Sequence, residues 1–253
     1  MLVNNRYSVS FGHLIVSALI LLTVYLMART IWYPGYFYEL DGGFEATKVV
    51  FIVDLALGPL LTLLIYKPKK KGLMFDLTCI GLMQLMALSY GVYLLYNYRP
   101  VALVLQNNEY FSVTADLYKN YEVEYDSESS VDSIKNCGLD CYIIKSNYES
   151  KTSIMAVGVP SRVRQEFYLD YAKGWQELLQ NSKDLFDISE LEEDFQAELK
   201  SAAAKLALEN ENMSEADLGF ISVYGRYVYG YFIVQKSNGL ILSFVEQKQV
   251  TIE

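Results

Sequence analysis

Residues 49–98, VVFIVDLALGPLLTLLIYKPKKKGLMFDLTCIGLMQLMALSYGVYLLYNY, decide the fold of this chain. They form two apolar runs joined by the basic knot Lys67-Pro68-Lys69-Lys70-Lys71-Gly72. The first run, 49–66, has 18 residues. As an α-helix it reaches about 27 Å, close to the roughly 30 Å hydrocarbon core of a bilayer. The second run, Leu73 to Tyr96, is broken among strongly polar positions only by Asp76, Thr78, Gln84 and Ser89, and is also long enough to cross. Lysines crowd the short turn between the runs, so the positive-inside rule places that turn in the cytoplasm. Both outer ends of the hairpin then face the opposite side.

Upstream, residues 1–10 are polar and carry Arg6, and an apolar stretch runs from Phe11 to Met27, extended through Tyr33. A secretory signal is the competing reading. The run is longer than a signal core and no small-x-small site precedes Trp32, so it reads as an uncleaved first span. Trp32-Tyr33-Pro34-Gly35-Tyr36-Phe37-Tyr38 has the composition of an interfacial aromatic belt. Glu39-Leu40-Asp41-Gly42-Gly43 then reads as a turn. Three spans put the N-terminus in the cytoplasm and the C-terminus outside, which in a Gram-negative cell is the periplasm.

The net charge of −9 hides a split: residues 1–98 carry +2 and residues 99–253 carry −11. These are the expected domains, a three-helix transmembrane domain over 1–98 and a periplasmic α+β domain over 99–253. An acidic soluble part has no attraction for phosphate backbones, so no nucleic acid is expected as a partner. His13 is the only histidine, which excludes a His-based triad, a multi-histidine metal site and a His relay. No phosphate-binding loop, dinucleotide fingerprint or nucleophile elbow is present, so no enzyme activity, cofactor, metal or small-molecule substrate is expected.

In the acidic part, VALVLQNNEYFSV reads as strand, turn and strand about Asn107-Asn108. Residues 119–136 read as a loop, and Cys141 to Ile144 as a short strand. From Pro160 to Gln180 the pattern is an amphipathic helix with Val163, Phe167, Tyr171 and Leu178 on one face. Ser189 with Glu192 resembles a capping box for a helix reaching about Asn210. The chain then turns to strands at Phe220–Tyr224, Tyr227–Gln235 and Leu240–Glu246, the last two joined by Ser237-Asn238-Gly239.

Several residues stand out, each with an ordinary structural reading beside a functional one. Arg29 and Asp54 fall at similar depth by sequence and are expected to pair between spans one and two, as a structural ion pair or as part of a proton or ion path. Gly58-Pro59 predicts a kink packed against a neighbour, and Gln84 is a candidate hydrogen-bond partner for the carbonyls that kink frees. Asp76, beside the lysines, reads as charge pairing. Cys137 and Cys141, spaced C-x₃-C, read as a structural disulfide in an oxidising compartment. Cys79 reads as an inert buried thiol. In Tyr227-Val228-Tyr229-Gly230-Tyr231 the tyrosines share one side of a strand, either as a solvated face or as a protein-binding face.

The chain resembles a family on a set of motifs held in order across roughly residues 10–115. These are Trp32-Tyr33-Pro34 with Asp41-Gly42-Gly43, the run Asp54-Leu55-Ala56-Leu57-Gly58-Pro59-Leu60-Leu61-Thr62, Lys71 with Asp76-Leu77, Gln84 with Tyr90-Gly91, and Arg99-Pro100-Val101. They are similar to those of the TfpX/TfpZ type IV pilin accessory proteins of Gram-negative inner membranes. The resemblance implies a non-enzymatic protein that acts beside a cognate major pilin, supporting its stability, assembly or surface display. It implies the type IV major pilin and inner-membrane lipid as partners, and makes these motif residues a partner-binding or structural membrane motif. The competing class is a small oligomeric membrane transporter or sensor using Arg29, Asp54, Asp76 and Gln84. Co-purification of a pilin separates the two, because a transporter would instead show pilin-independent ion flux.

Overall fold

The computed structural model describes residues 5–68, 70–124, 134–136, 139–144, 162, 165–182, 184–210 and 213–247. Three long apolar helices precede an α+β domain. Helix α1 (Arg6–Met27) is capped by the Asn5 side chain, which accepts from the Tyr7 N–H, and it continues into a π-helical turn at Ala28–Trp32. A single turn, α2 (Phe37–Leu40), separates it from the second span. That span comprises α3 (Gly43–Phe51), a π-helical segment Ile52–Leu57, and α4 (Gly58–Ile65). Helix α5 (Leu73–Asn97) is the third.

The second span starts earlier than its apolar run. Gly42 adopts φ 79°, a left-handed conformation that suits glycine, and launches the helix at Gly43. Glu45 and Lys48 pair at 3.4 Å one turn apart, so the charged residues before Val49 extend the helix. The span is therefore 23 residues long. Asp54 sits at its centre, not about five residues in as the apolar run alone suggested.

The chain divides into two compact units, Met1–Pro34 with Gly42–Arg99, and Gly35–Asp41 with Pro100–Glu253. In the first, α1 packs on α4, while α5 packs on α3 and α4. Trp32 meets Tyr96 edge-on at 5.6 Å, and the Tyr33 hydroxyl donates to the Leu95 carbonyl at 2.9 Å. Arg99 lies 3.8 Å over the Tyr96 ring. These rings tie the end of the first span to the end of the third.

The second unit is built on one sheet. Its strands are β1 (Pro100–Gln106), β2 (Glu109–Thr114), β3 (Ile134–Asn136), β4 (Leu139–Ile144), β5 (Tyr168–Leu169), β6 (Leu218–Tyr224), β7 (Tyr229–Gln235) and β8 (Ile241–Glu246). Seven run in the order β3-β4-β1-β2-β6-β7-β8, with β5 beside β4. The β1–β4 and β2–β6 pairs are parallel and the others antiparallel. Asn107 and Asn108 turn β1 into β2 with φ 54° and 64°, the positive values a two-residue hairpin needs.

Alternation along each strand sends side chains to two layers. One face carries Leu103, Leu105, Tyr110, Ile143, Val223 and Phe232, covered by Trp175 and by Phe37 and Leu40. The other carries two clusters, one around Tyr118, Tyr142 and Tyr168, the other packing Phe195, Leu199 and Ala203 against Leu218, Tyr231 and Ile233.

The helices of this unit differ from the sequence reading in particular ways. A short helix, α6 (Ala115–Asn120), runs into the first two residues of the 119–136 stretch expected as loop, and β3 occupies its last three. Of the helix expected from Pro160 to Gln180, α7 (Tyr171–Asn181) is present, and the described residues before it differ: Gln165–Phe167 form a 3-10 turn and Tyr168–Leu169 are extended, pairing with β4. Pairing the free β4 edge outweighs helical propensity there. Phe167 accordingly packs in the layer opposite Tyr171 and Leu178. Val163 lies outside the described residues. Helix α8 (Glu193–Glu209) starts with Glu192 as N-cap and lacks the Ser189 capping box; the Ser189 N–H instead donates to Asp187.

Candidate functional site

The sequence-singled residues gather mainly within the second span and around it. A π-helical segment pairs each carbonyl with the N–H five residues ahead. For Asp54 that partner is Pro59, which has no N–H. Gln84, from the third span, donates its Nε2 to the Asp54 carbonyl at 3.3 Å and fills that gap. Gly58 makes the approach feasible, since a Cβ there would lie 1.9 Å from Gln84 Nε2. The first span closes on the same kink: Ser10 Oγ donates to the Pro59 carbonyl at 2.7 Å, and His13 Nδ1 lies 2.7 Å from Thr62 Oγ1.

Asp54 is 6% exposed, and its Oδ1 is buried with no hydrogen-bond partner; so is Gln84 Oε1. Both line a cleft of about 290 Å³ together with His13, Ser17 and Leu21. Arg29 lies eight residues beyond Leu21, about 12 Å further along the helix, in the π-helical turn. Asp76 pairs with Lys70 at the opposite end of the third span.

A second constellation belongs entirely to the α+β unit. Phe37 and Leu40 are fully buried in the sheet's core, each worth on the order of 2 kcal/mol of apolar burial. The Leu40 carbonyl accepts from the N–H groups of Tyr227 and Val228 at 2.9 and 3.2 Å. Asp41, 2% exposed, accepts from Ser112 Oγ at 2.6 Å and from the Arg226 N–H at 3.0 Å. Burial pushes its carboxyl up from 3.8 to about 6, against the lowering effect of those two donors and of the Arg226 charge. Gly225 is needed beneath the loop, because a Cβ there would lie 2.4 Å from the Leu40 oxygen. Composition alone reads 39–43 as a turn; Phe37 and Leu40, two apolar residues three apart, are the only local sign of a buried anchor.

The remaining expected residues are placed as follows. Pro34 closes a segment of the first unit and Pro100 opens β1. Cys141 is buried in β4; Cys137 lies outside the described residues, so the expected disulfide does too. Cys79 is half-buried. Tyr227 is exposed and precedes β7, Tyr229 is half-buried, and Tyr231 is buried against Phe195 at 5.8 Å between ring centres. Helix α8 therefore covers the inner end of the tyrosine row, which the sequence could not show because nothing local marks where Phe195 will lie.

Three relatives, all from Dichelobacter nodosus, are similar to parts of this chain. The fimbrial assembly protein of serogroup I is 37% identical over 78 residues, 30% of each chain. That of serogroup E1 is 32% identical over 96 residues, 37% of each. The protein of serogroups C1 and C2 is 36% identical over 78 residues, 30% of this chain and 60% of the relative. The chain thus spans about a third of the length of the first two. No protein-family model and no solved structure matches it.

Proposed function

We propose that this chain is a non-enzymatic accessory factor of type IV pilus assembly, held in the inner membrane, that supports the stability, assembly or surface display of a major pilin. The observation that carries this reading is its similarity to parts of three fimbrial assembly proteins, and the motifs by which it resembles the pilin accessory family agree with it. The N-terminus is cytoplasmic and the α+β domain periplasmic. Two independent features support this orientation. Lysines fill the turn between the second and third spans. Phe37–Asp41, between the first and second spans, are built into the same core as the strands that follow the third. One core lies on one side of a membrane, so the second and third spans both cross and bring the chain back. The motif residues, among them Trp32, Gly42, Asp54, Gly58, Pro59 and Gln84, hold the three spans in the arrangement a client helix would meet.

Deleting the gene in a piliated strain tests the reading. Surface pili should fall sharply and return when the full chain is supplied from a plasmid; undiminished piliation would sink it.

A further inference from the structure

The first and third spans both pack on the second, and between them a cleft opens sideways at mid-membrane. Its floor is unusual for a lipid-facing surface. Asp54 Oδ1 and Gln84 Oε1 are both buried acceptors without a hydrogen-bond partner, each near the centre of its span. Its walls are Val16 and Ile20 on α1 and Leu85 and Leu88 on α5, and beside Gly81 no atom lies within 4 Å of where a Cβ would be. An acyl chain can fill such a space yet leaves both oxygens unpaired, and hydrocarbon offers them no water. The volume, about 290 Å³, admits one or two side chains rather than a helix, so an occupant would lie across the walls and send polar atoms to the floor.

We propose that this cleft receives a transmembrane helix of the client that presents a hydrogen-bond donor, an amide, hydroxyl or ammonium group, to Asp54 and Gln84 at the bilayer midplane. Resting on the pilus-assembly reading, the client is the pilin, whose membrane helix waits in the same bilayer. The complementarity is chemical: two orphaned acceptor oxygens, one from a carboxyl and one from an amide, select a donor and disfavour a purely apolar helix. Small residues at Ser17 and Gly81 let the helix come close enough to make the bond.

Photoreactive residues placed at Val16 and Leu85 in the full chain, in membranes of cells making pilin, test this. Leu22 and Met86, exposed and turned away from the cleft on the same helices, are the controls. Pilin adducts are expected at Val16 and Leu85 and not at the controls. They should fall about threefold to twentyfold in Asp54→Leu, the range of a single interhelical hydrogen bond, and persist in Asp54→Asn, which keeps the acceptor. Because Oδ1 has no partner to lose, Asp54→Leu should leave the protein at least as resistant to heating in detergent. Pilin captured at the controls instead would overturn the cleft and leave the assembly reading standing. Self-adducts at Val16 and Leu85, or pilin adducts indifferent to Asp54→Leu, would also overturn it. If no position captures pilin and none co-purifies, both readings fail.

Discussion

Gln84 Nε2 lies 3.3 Å from the carbonyl oxygen of Asp54, so a side chain of the third span supplies the donor that Pro59 removes from the second. The bond is made possible by a missing side chain at Gly58. Gly58→Ala would swing the flexible Gln84 amide aside rather than clash with backbone, and Gln84→Leu removes the donor itself. Each should lower stability in detergent by about 1 kcal/mol, the scale of interhelical hydrogen bonds. The double variant should cost clearly less than the sum, because both changes act through one bond. Strict additivity in thermal or chaotrope unfolding would contradict this.

Asp41 gives the α+β unit a pH dependence with a definite sign. Its folded value, about 6, is above the ordinary 3.8, so the folded protein holds a proton that the unfolded chain releases first. The associated stability is fully present below about pH 3.8 and is lost as pH rises through about 6. The whole effect is at most about 3 kcal/mol. Unfolding of the wild-type chain and of Asp41→Asn, compared from pH 4 to 7, should show the wild type losing ground to the variant across that window. A constant difference would mean that Asp41 does not titrate there.

Gly225 and Gly12 should respond oppositely to alanine. At Gly225 the new Cβ would meet the Leu40 backbone oxygen at 2.4 Å, and the loop must lift, breaking its bonds to Tyr227 and Val228. A loss of about 1–3 kcal/mol is expected, the usual range for forced overpacking. Limited proteolysis should then cut near Tyr36–Tyr38. At Gly12 nothing lies within 4 Å, and alanine in a helix interior should stabilise by about 0.5–1 kcal/mol. Equal behaviour of the two variants would contradict the anchored loop.

The Asn107-Asn108 turn sets the β1–β2 register. Asn107→Val should cost about 1–2 kcal/mol, since a β-branched residue is strained at φ 54°. Asn107→Gly should be close to neutral, and the contrast is read by thermal unfolding.

What was legible in the sequence follows the range of the forces involved. The three spans, the Asn107-Asn108 hairpin and the closing strands are written in local composition and periodicity, and the structure has them at those places. Gln84 was legible as a donor for the kink because proline chemistry is local. The anchor was not: Asp41 is held by residues 71 and 185 positions away, and neither Ser112 nor Arg226 advertises it. The depth of Asp54 is hidden in the sequence because charged residues that pair within a helix, such as Glu45 and Lys48, lengthen a span without looking apolar. Strand β5, just ahead of α7, was not legible because its partner, β4, lies more than twenty residues upstream.

The most direct measurement is gentle purification of the tagged full-length chain from native membranes of piliated cells, followed by identification of what accompanies it. Major pilin, enriched over a tagged unrelated protein with three membrane spans, is the predicted result. Its absence, in membranes where pilin is abundant and the chain is intact, would contradict the account.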